Sequence, residues 1–174
     1  MKTDLDGNIT WVELFGGDDY DMINGITINR GQIFIAGESS SSRLFGVRNK
    51  GDNDVFIASY NREGKYLWGK TVGTSKNDRA YGIVNSLGNI YITGVTGGVL
   101  ANQVNNGRND AFVMKYNFDG EPIFTKLIGT FENDKGKNIC VGVNFIYIIG
   151  ETEGKFPGFK NYGDYDVFVK MISM

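Results

Sequence analysis

Histidine is absent from the 174 residues, which removes the commonest general base and the commonest metal ligand together. The single cysteine rules out an internal disulfide. Cys140 lies within Asn138-Ile-Cys-Val-Gly142 and reads as a small core residue, since free cysteine is usually buried. Proline is scarce, at 2 residues against 25 glycines. With 13% aromatics, that mix suits tight turns between short strands and excludes a disordered linker. Excess charge is missing as well. A formal net charge of −2 gives no electrostatic reason to expect nucleic acid or an anionic membrane. No apolar run approaches the roughly 18 residues needed to span a bilayer. The opening Met-Lys-Thr-Asp-Leu-Asp-Gly has no apolar segment after its lysine, so no signal peptide is expected. The chain then reads either as cytoplasmic or as a piece of a longer exported or cell-surface protein.

What is present is a repeat. Asp54-Val-Phe-Ile-Ala-Ser-Tyr60, Asp110-Ala-Phe-Val-Met-Lys-Tyr116 and Asp166-Val-Phe-Val-Lys-Met171 place their aspartates 56 residues apart both times. A fixed period of this length marks an array of supersecondary units. The chain divides into one repeat domain, 1–174, with units at approximately 1–60, 61–116 and 117–174. Asp6-Gly7, Glu63-Gly64 and Asp119-Gly120 mark hairpin turns, because glycine accepts the positive φ such turns require. Four residues past each glycine comes an aromatic, Trp11, Trp68 or Phe124, and five residues later Gly16, Gly73 or Gly129.

A polar loop carrying Asp21, Asp78 or Asp134 follows, then two short apolar runs. Ala80–Val84 and Ile90–Gly94 are the clearest, matched by Gly25–Ile28 with Gln32–Gly37 and by Ile139–Val141 with Ile146–Gly150. Their β-branched and aromatic content predicts strands, and no helical period is present. Each unit closes on Asn-x-Gly-x-x-Asp, with Gly51, Gly107 and Gly163 in register. About four strands per unit, separated by turns at the 8–12-residue spacing of all-β folds, gives roughly twelve.

Asn109-Asp-Ala-Phe-Val-Met-Lys-Tyr116, Asp119-Gly120, Gly129, Trp68 with Gly73, and Gly88-Asn-Ile-Tyr-Ile-Thr-Gly94 together resemble the bacterial β-propeller repeat known as the SBBP repeat. Repeat three departs from it at Asn144-Phe145 and at Phe124. The resemblance implies an all-β propeller of four-stranded blades, three per chain, and implies no particular reaction. Three blades are too few to close a ring, since propellers use four to eight. Met1 aligns with Ala58, so the first unit starts partway into its Phe-bearing strand, and Asp166–Ile172 is a spare copy of that strand. The expectation is a homodimer with a six-bladed ring closed by exchange of the C-terminal strand. A β-trefoil, which also has three units of about four strands, is the alternative fold.

Residues repeated in every unit read as structural. On that basis Asp54, Asp110 and Asp166, with Gly51, Gly107 and Gly163, form turns or cross-blade hydrogen bonds. Trp11, Trp68 and Phe124 belong to the same structural set. Function is expected where units differ: Asp18, Asp19 and Tyr20 in the acidic first loop, and Phe159 and Tyr162 in the aromatic Lys155–Tyr162 loop, which suit a glycan or protein ligand. No Ser-His-Asp set, Cys–His pair or phosphate loop occurs, and no metal or cofactor is expected. The reading is a non-catalytic binding or scaffold module. A glycan hydrolase using two acids is the alternative, and a purely structural segment of a larger surface protein is the third reading.

Overall fold

The computed structural model describes residues 2–174 and is all-β. The strands, in chain order, are β1 (Lys2–Thr3), β2 (Ile9–Trp11), β3 (Asp21–Asn29), β4 (Gln32–Ser39), β5 (Arg43–Leu44), β6 (Val47–Arg48), β7 (Asp54–Tyr60) and β8 (Tyr66–Val72). They continue as β9 (Asp78–Ser86), β10 (Asn89–Thr96), β11 (Asp110–Asn117), β12 (Pro122–Ile128), β13 (Asp134–Val141), β14 (Phe145–Thr152) and β15 (Asp166–Ser173). The expected alignment of Met1 with Ala58 falls outside the described residues.

Three antiparallel sheets carry the fold, each a meander in chain order: β3-β4-β7-β8, β9-β10-β11-β12 and the three-stranded β13-β14-β15. Two small hairpins, β1-β2 and β5-β6, stand apart from them. No helix and no closed barrel occurs among the described residues. The hydrogen-bonded units therefore start at Asp21, Asp78 and Asp134, offset from the sequence repeat by about a third of its length. Those three aspartates open strands β3, β9 and β13 and do not sit in mid-loop.

The sheets stack face to face in sequence. Strand β9 packs against β3, β4 and β7 of the first sheet, and β13 packs against β9, β10 and β11 of the second. Alternation along each strand sends neighbouring side chains to opposite seams. Phe34, Val55 and Ile57 of the first sheet meet Ile83, Ile90 and Phe112 of the second. Tyr91, Ala111 and Val113 of the second meet Ile139, Ile146 and Ile148 of the third. Strand β7 is consequently buried at all of its positions, and each large apolar side chain it buries contributes about 1.5–3 kcal/mol.

The glycine that ends each apolar run has a geometric cause. A bulge opposite Gly37, Gly94 and Gly150 pushes the carbonyls of Met22, Arg79 and Lys135 against them, and the rings of Phe56, Phe112 and Phe168 close the other side. No Cβ fits there, and the bulge bends the inner strand.

Cys140 is exposed, not a core residue as its apolar neighbours suggest. Its counterpart in the second sheet, Val84, packs into the seam with the third sheet. Cys140 points from the third sheet to a side that no further sheet of this chain covers.

The turns joining the first two strands of the first and second sheets place two successive residues at positive φ, Arg30-Gly31 and Leu87-Gly88. That is the backbone of a type I′ turn, which favours Asn-Gly. Leu87, at φ 49°, holds a conformation that costs a non-glycine residue roughly 1 kcal/mol. Leu87→Asn is expected to raise the unfolding free energy by about 0.5–1 kcal/mol, read from the midpoint of urea denaturation. An unchanged or lower midpoint would contradict this account of the turn.

Candidate functional site

The repeated aspartates hold loops. Asp54, Asp110 and Asp166 accept hydrogen bonds from the backbone N–H of Lys50 (3.1 Å), Asn106 (2.9 Å) and Tyr162 (2.7 Å). Each thus closes the turn that carries Gly51, Gly107 or Gly163. The Asp78 carboxylate accepts from the Thr74 N–H (2.6 Å) and hydroxyl (2.8 Å), and Asp134 does the same with Thr130 (2.6 and 2.9 Å). In the first sheet this hydroxyl comes from the opposite loop. Gly17 stands where Thr74 and Thr130 do, and Ser41 reaches Asp21 at 3.0 Å. Ser41 in turn takes the place of Gly98 and Gly154, so hydroxyl and glycine have changed sides. That exchange accounts for part of the serine run Ser39 to Ser42.

Burial raises the pKa of Asp54, aided by the nearby Asp78 charge and opposed by the Lys50 N–H and ammonium. Burial likewise raises Asp78 against the hydrogen bonds of Thr96 and Thr74. It raises Asp110 too, helped by the Asp134 charge. One oxygen each of Asp54 and Asp110 has no hydrogen-bond partner among the described residues and lies against Gly73 or Gly129.

The loop residues singled out in the sequence fall at the same end of the sheets but at opposite ends of the stack. Asp18 accepts from the Ser42 N–H and hydroxyl, both at 2.7 Å, which lowers its pKa. The Asp19 N–H donates to Ser41 Oγ (3.0 Å) and the Tyr20 N–H to Asp19 Oδ1 (2.8 Å), leaving the Tyr20 ring half exposed. The Asp18 carboxylate and the Asp19 backbone therefore hold this loop to the serine loop, while the Asp19 carboxylate is turned to its own neighbour. Phe159 and Tyr162 project into solvent and line a groove of about 710 Å³ with Phe156, Pro157, Val167 and Val169. Phe156 is partly buried against Phe168, with ring centroids 5.5 Å apart, where Leu44 and Leu100 fill the core of the other sheets. No group of three or more Cys, Asp or Glu residues among the described residues could hold a metal ion. No helix among them is long and apolar enough to cross a membrane.

Trp11, Trp68 and Phe124 mark the outer strand of each unit. Trp68 lies over Gly120 in the next unit's turn and donates its indole N–H to the Phe118 carbonyl at 3.0 Å. Trp11 lies over Gly64 in the same way. Phe124 packs at the seam between the second and third sheets.

The groove belongs to a larger open surface. Val167 and Val169 are 87% and 74% exposed, whereas their counterparts Val55 and Ile57 are fully buried. At the other end of the stack Ile26 is 68% exposed, against 9% for its counterpart Ile83. One end of the stack thus shows the leading half of a seam and the other end the trailing half.

Two seam features were not read from the sequence. Asn53 bonds Asn77 at 2.7 Å and Asn109 bonds Asn133 at 2.5 Å, each pair across a parallel bridge between neighbouring sheets. In addition, Asp4, Asn61 and Asn117 each staple their Gly-bearing turn through two backbone N–H groups. The signal for both was recurrence at the repeat spacing, masked because the residues vary between Asn, Asp and Tyr. No protein-family model matches the chain, and no curated protein matches it.

The raised aspartates set a pH dependence. Their folded pKa values lie above the unfolded value, so their contribution is complete below the ordinary aspartate range and is lost as pH rises through the folded pKa. Chemical denaturation across a pH series is expected to show stability falling from this source as pH rises above about 4, the ordinary aspartate range. Asp110→Asn should flatten the profile, and an unaltered slope would remove Asp110 as a contributor.

Proposed function

We propose that the chain is a three-blade arc of a β-propeller that acts as a non-catalytic binding or scaffold module, closed into a six-bladed ring by a second copy. The sheets support this reading. Each is a short antiparallel meander, and the first strands of the second and third pack against the preceding sheet, as successive blades of a propeller would. A β-trefoil closes its strands into a barrel, and these three sheets stack without one. The resemblance to the SBBP repeat points the same way.

The observation that carries the proposal is the pairing of the two open ends. The exposed side chains at one end, Val167 and Val169, occupy positions that are buried in both inner seams. Those at the other end, Ile26 above all, occupy positions that close the same seams from the opposite side. Apolar surface of this extent on a soluble protein marks an interaction site. Main-chain pairing along the free edge of β15 adds directional bonds to that surface. The ring would then present loops of one rim, including the aromatic Phe159–Tyr162 segment, to a protein or glycan ligand.

Sedimentation equilibrium and light scattering on the 174-residue chain test the ring. The expected result is a dimer at micromolar concentration, and a monomer at about 50 µM would overturn it, since an obligate interface holds well below that. A glycan array addresses the ligand. Binding without product release supports a binding module, and released product would make the chain a hydrolase.

A further inference from the structure

The groove beside β15 has the shape of something the chain itself carries. In the first sheet, outer strand β8 lies between the edge of β7 and the loop after β4: Gly69 sits against the Phe45 ring and Gly73 against Asp54. The third sheet shows the same trough, between β15 and the loop through Phe156, Phe159 and Tyr162, with Asp166 at its end. At the other end of the stack, β2 is an outer strand without a sheet. It stops at Trp11, while its counterpart β8 runs on to Val72, the equivalent of Phe15. Val12 and Leu14 are exposed along that unpaired run. Phe15 is already packed against Phe45, Phe56 and Tyr60 of the first sheet. Its counterparts Val72 and Ile128 pack into the two inner seams in the same way.

We infer that the trough beside β15 receives the Ile9–Phe15 segment of a second copy as the fourth strand of the third sheet, antiparallel to β15. The register follows from β7 and β8, where Ser59 faces Trp68, Ala58 faces Gly69 and Val55 faces Val72. By the same spacing Lys170 faces Val12 and Val167 faces Phe15 of the second copy, while Met171 takes the place opposite Trp11 that Lys2 holds in the single chain, so β1 gives way there. This rests on the two-copy ring proposed above and reverses the exchange expected from the sequence. Strand β15 stays in its own sheet, paired with β14, and the hairpin at the other end is donated.

The seam residues vary in step with this assignment. Both inner seams use an Asn pair across a parallel bridge, Asn53 with Asn77 and Asn109 with Asn133. The positions equivalent to these at the open ends are Tyr165 and Tyr20, so both halves of the pair change together to half-exposed tyrosines. Gly51 and Gly107 show the same logic. A Cβ on either would strike the backbone of the next sheet's loop, at Thr74 and Lys76 or at Thr130 and Phe131. Gly163, their third copy, has nothing within 4 Å and no positive φ. It is a seam glycine whose opposing loop, by spacing Gly17 to Tyr20, lies in the second copy.

One pairing opposes the contact. Arg108 meets Glu132 at 3.4 Å across the inner seam, whereas the equivalent positions at the ends are Asp164 and Asp19. Two carboxylates therefore face each other in the closing seam, and added salt should strengthen this association by screening them.

Two variants test the register and the seam. Gly163→Val meets no atom in the single chain, so it should leave the denaturation midpoint unchanged at concentrations low enough to keep both proteins monomeric, while weakening the dimer by about 100-fold. Val12→Cys combined with Lys170→Cys, in a Cys140→Ser background, should give a covalent dimer under mild oxidation. The displaced pair Leu5→Cys with Lys170→Cys should not. A monomeric parent chain would end the ring reading itself. A parent that dimerises while Gly163→Val still dimerises equally well, or while the Val12/Lys170 pair stays uncrosslinked, would end this assignment alone.

Discussion

Everything in this fold depends on how closely one sheet can approach the next. The approach is set by glycine at fixed positions, because a Cβ at Gly51 or Gly107 would strike the backbone of the following sheet. With that spacing fixed, side chains from two sheets interdigitate and exclude water, which is the main source of stability in a domain of short strands. The hydrogen-bonded parts of the seam then follow. The backbone N–H of Asp78 donates to the Asn53 carbonyl, and that of Asp134 to the Asn109 carbonyl, both at 2.8 Å. A loop that has come this near buries its polar backbone, and the cross-seam bonds leave fewer of those groups unpaired.

The same constraint explains why the aspartates recur. Each turn leading into a strand presents N–H groups that a sheet ladder cannot use, and a carboxylate four residues on accepts one. Stacking the sheets then buries these carboxylates, which is why the pKa values of Asp54, Asp78 and Asp110 rise although they are hydrogen-bonded. Burial is the largest influence in all three, and a second carboxylate across the seam adds to it for Asp54 and Asp110. A repeat that looks like a row of candidate acids is thus a row of loop anchors.

Much of this was legible in the sequence. The strands through Ile90–Gly94 and Gln32–Gly37 and the turns at Gly7, Gly64 and Gly120 stand where residue pattern and turn chemistry place them, each of the three turn glycines at positive φ. Cys140 was misplaced because a strand's pattern shows that one face is buried but not whether the other face has a neighbour. The offset of the sheets from the repeat has a related cause. A period reports the length of the unit and is silent on where the hydrogen-bonded sheet begins. The Ser41 and Gly17 exchange was invisible because each change alone looks like loop variation. Only the shared contact with Asp21 couples them.

The variable positions divide by the same physics. Inner seams pair small amides that satisfy one another, as Asn53 does with Asn77, and such pairs need a dry, close contact. Tyr20 and Tyr165 stand at the same positions on the two end faces and are half exposed. A tyrosine suits such a place, since its ring is apolar and its hydroxyl can meet water or a polar neighbour, as Tyr165 does by accepting from Lys135 at 3.3 Å. Val167 and Val169 have no polar end, and both stand exposed on the outer face of the third sheet. Selection for a lone chain would favour polar residues at those two positions, as on the solvent face of any half-buried sheet. Valine at both positions gives this end face the apolar side chains that the two inner seams bury, Val55 and Ile57 in one and Ala111 and Val113 in the other.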